Sequence, residues 1–320
     1  MISFLKSTFR KPQPSQTANE APRALLDAEV MNQIGHLELL SRTVVDGLLA
    51  GKHRSSTRGG CCEFAEHRQY APGDEIRQID WQVYARNDRY FIRQFEEETN
   101  LHGILALDTS GSMRFGLSTP AKLDYAKQLA ACLGRLLLKQ RDAVGAAILN
   151  DQNPYFVPPR QHAAHLQALL SALQAAEASN AGDLGLQIRG CLPRFKRRGL
   201  FILCSDCFTN LDELSGALRV VRSRGHDVVV LQILAPEEVH FEFRHWSSFR
   251  SLESSGQTMH LDPAAIRSAY LKRFESFLAD LEERVVGLGG DYLRMTTDQN
   301  LADVLGWFLR MRMARNKRRS

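Results

Sequence analysis

With 320 residues, 44% of them hydrophobic, the chain is long enough to bury one large core or two ordinary ones, so its class is globular. The formal net charge of +5 sits at one end, because residues 310–320 hold six basic side chains and no acidic ones; the remainder carries −1, and global charge gives no reason to expect nucleic acid as a partner. The six cysteines are scattered as reduced cytosolic thiols would be. No secretory signal is read before Lys6, Arg10 and Lys11, and the densest apolar run, Val228–Ala235, is far below the about 20 residues a membrane span needs, so the expected location is cytoplasmic.

Residues 11–22 are rich in Pro, Gln, Ser and Ala, and 1–22 are expected to form a mobile leader. A helix follows from near Arg23, since Leu26, Val30, Ile34, Leu37, Leu40 and Val44 recur at the spacing of one helical face. Residues 51–60 read as a loop, and 61–100 as a compact irregular or β subregion with a turn at Pro72-Gly73-Asp74 and a β-like run at Tyr90–Phe95. The segment 23–100 is therefore taken as one unit and 101–310 as the main domain, followed by a basic tail over 311–320.

Within 101–310, apolar runs at Ile104–Leu107, Val144–Leu149, Leu200–Cys204 and Val228–Ile233 alternate with helical patterns. Strands buried on both faces by crossover helices have this appearance, which predicts an α/β fold with a doubly wound, mostly parallel sheet. Thr119 before Pro120 predicts a helix start, continued by the stripe Leu123, Ala126, Ala130, Leu133 and Leu137. Asn210 with Glu213 predicts a second start, for a helix through Val221. A long helix from Pro263 to about Val286, a strand near Tyr292–Met295 and a helix from Leu301 to Met311 complete the pattern.

The chemistry concentrates directly after the first of these strands, in Asp108-Thr109-Ser110-Gly111-Ser112. One carboxylate and two hydroxyls, each two residues apart, point the same way in an extended loop. Such oxygen donors suit Mg²⁺ or Mn²⁺, and Mg²⁺ in particular keeps several of its waters and so leaves coordination positions for an outside ligand. The loop lies at the carboxyl end of a strand, where open α/β sheets place their sites, and Ser205-Asp206 after a later strand offers a second carboxylate.

This arrangement resembles the metal-ion-dependent adhesion site of von Willebrand factor A domains, with Asp108, Ser110, Ser112 and Asp206 at the matching positions. Where the pattern has Gly-Thr-Asp, this chain reads Ala181-Gly182-Asp183, so Asp183 either compensates for the missing Thr through its carboxylate or caps the helix that follows. A wider resemblance, to bacterial domain-of-unknown-function family 58, is carried by Glu63–Arg68, Pro72-Gly73-Asp74, Arg77–Trp81 (including Asp80), Ala85-Arg86 and Phe95-Glu96-Glu97-Glu98. Gly225–Val228, Pro236-Glu237-Glu238 and Thr297-Asp298-Gln299 extend it over roughly residues 35–310. The resemblance implies a von Willebrand factor A-like module working beside a MoxR-type AAA+ ATPase in complex assembly, with no assigned reaction.

Other candidates read as structural. Cys204 and Cys207 form a lone C-x-x-C with no second pair, so free thiols are expected, and His162 with His165 lacks nearby acids to complete a metal site. Asp74 is expected to close its turn and Asp80 to pair with Arg77 or Arg86. The basic cluster Arg194, Lys196, Arg197 and Arg198 is read as a solvated surface. Three functional expectations follow: a metal-assisted protein-binding site completed by a partner's acidic side chain, a docking surface without metal, or a metal-dependent hydrolase using Asp108 or Asp206. The last lacks a named base or activated nucleophile, so the chain is read as a binding module without catalytic residues.

Overall fold

The computed structural model describes residues 36–45, 67–69, 84, 90–93, 101–117, 119–151, 154–179, 182–241, 243, 247–250, 258–261 and 263–319. In chain order these hold α1 (36–45), β1 (His67–Gln69), β2 (Phe91–Arg93), β3 (His102–Asp108), a 3-10 turn (Gly111–Arg114), α2 (Lys122–Lys139), β4 (Ala143–Leu149), β5 (Tyr155–Arg160), α3 (His165–Gln174) and α4 (Leu184–Cys191). Then come β6 (Gly199–Ser205), α5 (Leu211–Ser223), β7 (Asp227–Leu234), α6 (Pro236–His240), β8 (Ser247–Arg250), β9 (Thr258–Leu261), α7 (Pro263–Gly287), β10 (Asp291–Thr296) and α8 (Leu301–Arg319).

The chain divides into two units, residues 50–100 and the rest. In the smaller unit β1 and β2 pair antiparallel, with Arg68 opposite Ile92, and the rings of Tyr84 and Tyr90 stack at 4.5 Å. The signature positions Pro72, Gly73, Asp74, Arg77, Asp80, Trp81, Arg86, Phe95, Glu96 and Glu97 lie outside the described residues. The helix that sequence groups with residues 23–100 falls on the other side of the division. Leu37 and Val45 of α1 are buried in the same apolar cluster as β3 and α2.

The larger unit is built on a six-stranded sheet of order β10-β7-β6-β3-β4-β5, parallel throughout except for β5. The expected α/β, doubly wound architecture is therefore present. Its physical basis is the two-sided apolarity of the central strands: Leu105 and Leu107 face one layer while Ile104 and Ala106 face the other. The first layer is made by α1, α2, α3 and α8, and the second by α4, α5 and α7. The chain leaves β3 toward β4 on one side and later returns to β6 on the other, so the direction of winding reverses at β3. Open α/β sheets place their sites at such a reversal, which here is the rim formed by the carboxyl ends of β3 and β6.

Local expectations hold in most places. The stripe Leu123, Ala126, Ala130, Leu133 and Leu137 is buried, and the Asn210 side chain accepts hydrogen bonds from the amides of Asp212 and Glu213 at the start of α5. Two readings are corrected, and one strand that the sequence pattern does not single out is added. Thr119 does not cap α2, which begins only at Lys122; its hydroxyl lies 2.5 Å from that of Thr297 instead. The final helix does not stop at Met311 but runs through Arg319, so the basic tail is helical. Finally β5, unread in the sequence because it contains Pro158 and Pro159, is a strand at the sheet's edge, where missing amide donors are tolerated. Among the described residues no helix is long and apolar enough to cross a membrane.

The pairing of β4 with the irregular β5 depends on Gly145, since a Cβ there would come within 2.4 Å of the Val157 carbonyl oxygen and 2.7 Å of the Pro159 nitrogen. Both obstacles are backbone and cannot rotate away. Gly145→Val is expected to lower the unfolding free energy by about 1–3 kcal/mol, as overpacking does, in a urea titration of the full chain. An unchanged midpoint and slope would show that β5 moves aside at no cost.

Candidate functional site

Asp108 is the last residue of β3, at the reversal of winding, and is 3% exposed. Its Oδ1 accepts the amide of Ser110 at 2.8 Å and its Oδ2 accepts the hydroxyl of Ser205, the last residue of β6, at 2.5 Å. The Ser110 and Ser112 hydroxyls lie 3.1 Å apart, Ser112 buried and Ser110 half-buried. The loop is anchored from both sides. Thr109 donates its hydroxyl to the Leu149 carbonyl at the end of β4 at 2.8 Å, and its own carbonyl accepts the Ser179 amide at 2.7 Å. Met113 and Phe115, both buried, fix the 3-10 turn beyond it.

The second loop, after β6, folds on its own side chains. The Cys207 amide donates to Ser205 Oγ at 2.8 Å, and the Phe208 amide donates to Asp206 Oδ1 at 3.0 Å. These short-range bonds hold Cys207 in the left-handed region, at φ 59°, an unusual place for a residue with a Cβ. From below, the buried amide of Gln232 in β7 donates to the Asp206 carbonyl at 2.9 Å and accepts the Tyr292 hydroxyl at 2.5 Å. Asp206 is thus immobilised through both its main chain and its side chain.

A lysine completes the rim. Lys122, the first residue of α2, is 0% exposed, and its Nζ donates to Asp206 Oδ2 and to Glu238 Oε1, each at 2.7 Å. The Phe208 ring centroid lies 4.6 Å from the same nitrogen. Glu238, in α6, uses its other oxygen to accept the Ala235 amide at 2.8 Å. Burial alone would lower the Lys122 pKa, but the charges of Asp206 and Glu238 outweigh it and hold the ammonium above the ordinary lysine value. Burial raises the pKa of Glu238. Burial first, and the charge of Asp206 second, push Asp108 up to about 6 against the hydrogen bonds from Ser205 and Ser110.

The residues singled out in the sequence are thereby separated. Asp108, Ser110 and Ser112 come together, and Asp206 stands at the neighbouring strand end. Asp183 caps α4, its Oδ1 accepting the Leu186 amide at 3.0 Å, which is the second of its two sequence alternatives. Among the described residues no three His, Cys, Asp or Glu side chains gather so as to hold a metal ion by themselves. Cys204 and Cys207 are free and buried, and burial pushes the Cys204 thiol up to about 12, so neither is a ready nucleophile. Arg194, Lys196, Arg197 and Arg198 are exposed and precede β6, at the opposite end of the sheet. Sequence reasoning missed Lys122, Glu238 and the role of Ser205. The available signal was a lysine opening an apolar helix, where the helix dipole disfavours a cation.

The family model for a protein of unknown function, DUF58, matches residues 66–276. The chain belongs to this family. Similar relatives are uncharacterized proteins of Mycobacterium tuberculosis (Rv1480) and Mycobacterium bovis (Mb1516), each 29% identical over 284 residues, 87% of this chain and 89% of theirs. Among solved structures, the conserved hypothetical protein BatB from Bacteroides thetaiotaomicron is similar with a TM-score of 0.46 and 19% identity, over 67% of this chain and 99% of that one. The SpRpn10 VWA domain is similar with a TM-score of 0.38 and 10% identity, over 65% and 94%. In this DUF58 chain the strand order itself defines the architecture.

The raised Asp108 pKa has a consequence for stability. The folded carboxyl holds its proton more tightly than the unfolded one, so its contribution is fully present below the ordinary Asp value and is lost as pH rises through about 6. Burying a charged carboxylate without an opposite charge typically costs several kcal/mol. Asp108→Asn is therefore expected to raise the stability of this DUF58 chain at about pH 8 in EDTA by up to that amount, and to flatten its decline between about pH 4 and 7. Guanidinium unfolding curves at several pH values check this, and a less stable Asp108→Asn protein at about pH 8 would contradict it.

Proposed function

We propose that the chain is a non-catalytic protein-interaction module whose docking point is the rim at the carboxyl ends of β3 and β6. Mg²⁺ or Mn²⁺ would be held there by Asp108 with Ser110 and Ser112, and an acidic side chain of the partner would complete the shell. The observation that carries this reading is the preorganised Asp108 carboxylate, oriented by Ser110 and Ser205 beside two hydroxyls 3.1 Å apart. Hard oxygen donors of that kind suit a hard cation, and a bound ion would supply the positive charge that buried Asp108 lacks. The expected partner is a MoxR-type AAA+ ATPase, and the expected location is the cytoplasm.

The reading is non-catalytic because, among the described residues, no histidine hydrogen-bonds Asp108, Ser205 or Asp206, and nucleophilic chemistry at this rim would need such a base. A second reading, docking without metal, is favoured by one observation: both Asp206 oxygens are already engaged, by Lys122 and by the Phe208 amide.

Isothermal titration of the full chain with Mg²⁺ and Mn²⁺ distinguishes these. A binding signal is expected for the wild type and not for Asp108→Ala. The dissociation constant should rise toward tenfold per pH unit below about 6, where a proton competes for Asp108. A silent wild type, or capture of the ATPase that is unchanged by EDTA, would leave the metal-free reading.

A further inference from the structure

The rim has three buried carboxylates, Asp108, Asp206 and Glu238, and one buried ammonium among the described residues. We propose that Lys122 is a built-in cation that occupies the place a divalent ion would otherwise take at Asp206, confining any such ion to Asp108 and the two serine hydroxyls. Lys122 is thus a positioning residue that sets how strongly the rim attracts metal, and the proposal rests on the reading above only for the ion's location.

Three observations support it. Every donor of the ammonium has a destination: two carboxylate oxygens at 2.7 Å, and the face of Phe208 at 4.6 Å. Every oxygen of Asp206 and Glu238 is likewise engaged, by Lys122 and by the amides of Phe208 and Ala235, so neither carboxylate has an idle oxygen for a metal. The lysine is also tied to the serine loop itself, because its own amide donates to the Phe115 carbonyl at 2.9 Å, directly after the 3-10 turn. Lys122 therefore links the Asp108 loop through its main chain, and the Asp206 loop and α6 through its side chain, from a buried position.

A full positive charge within 2.7 Å of Asp206 also repels a divalent ion approaching the same rim. Removing it leaves two uncompensated carboxylates, which is the condition under which a hard cation binds tightly. The effect has a definite sign. Losing a merely structural lysine would weaken or leave unchanged the binding of metal at Asp108, whereas losing a resident cation strengthens it.

The test is titration of the full chain with MnCl₂ and MgCl₂, comparing wild type, Lys122→Met, and the double variant Lys122→Met with Glu238→Gln. The double variant removes one of the two stranded charges, so it carries the test if the single one does not fold; circular dichroism checks the fold of each. At least tenfold tighter Mn²⁺ binding is expected in the folded variants. Binding no tighter than wild type, with wild type itself binding, overturns the role of Lys122 and leaves the metal-assisted reading intact. Tight binding by the variants beside a silent wild type supports Lys122 as the resident cation and removes the metal-assisted reading. Silence from all of them overturns both.

Discussion

Holding charge away from water at the carboxyl end of a parallel sheet is the constraint on which this site depends. An unpaired buried carboxylate costs several kcal/mol, and breaking a buried pair by removing one partner typically costs about 3–5 kcal/mol. The rim accommodates this by giving each oxygen a donor: backbone amides at Asp206 and Glu238, serine groups at Asp108, and one ammonium shared between the first two. The loops are consequently not free connections. Their conformations, including the left-handed backbone at Cys207, bring the Cys207 amide to the Ser205 hydroxyl and the Phe208 amide to the Asp206 carboxylate.

Asp108 is the exception in this scheme, since it receives hydrogen bonds but no opposite charge among the described residues. That contrast separates two halves of one rim. In the Asp206 half two carboxylates share one ammonium and every oxygen has a donor, whereas the Asp108 half has no cation among the described residues and adjoins the half-buried Ser110.

Much of the fold was legible because the information is local. Two-sided apolar runs such as Ile104–Leu107, alternating with helical patterns, fit central strands between helices, and Asn210 with Glu213 announces a helix start from neighbouring residues alone. The loop Asp108–Ser112 was legible for the same reason, being contiguous in sequence. What escaped was long-range. Lys122 finds its partners 84 and 116 residues away, and Thr119 finds Thr297 at a separation of 178, so no spacing rule reaches them. The strand β5 escaped for the opposite reason. Its prolines are a strong local signal against a strand, overridden by its place at the border of the sheet.

Those prolines also bear on how copies of this chain can meet. A strand lacking two consecutive amide donors is a poor template for another strand, so the β5 border resists the edge-to-edge growth that turns open sheets into aggregates. A visiting polypeptide gains little by lengthening the sheet on that side.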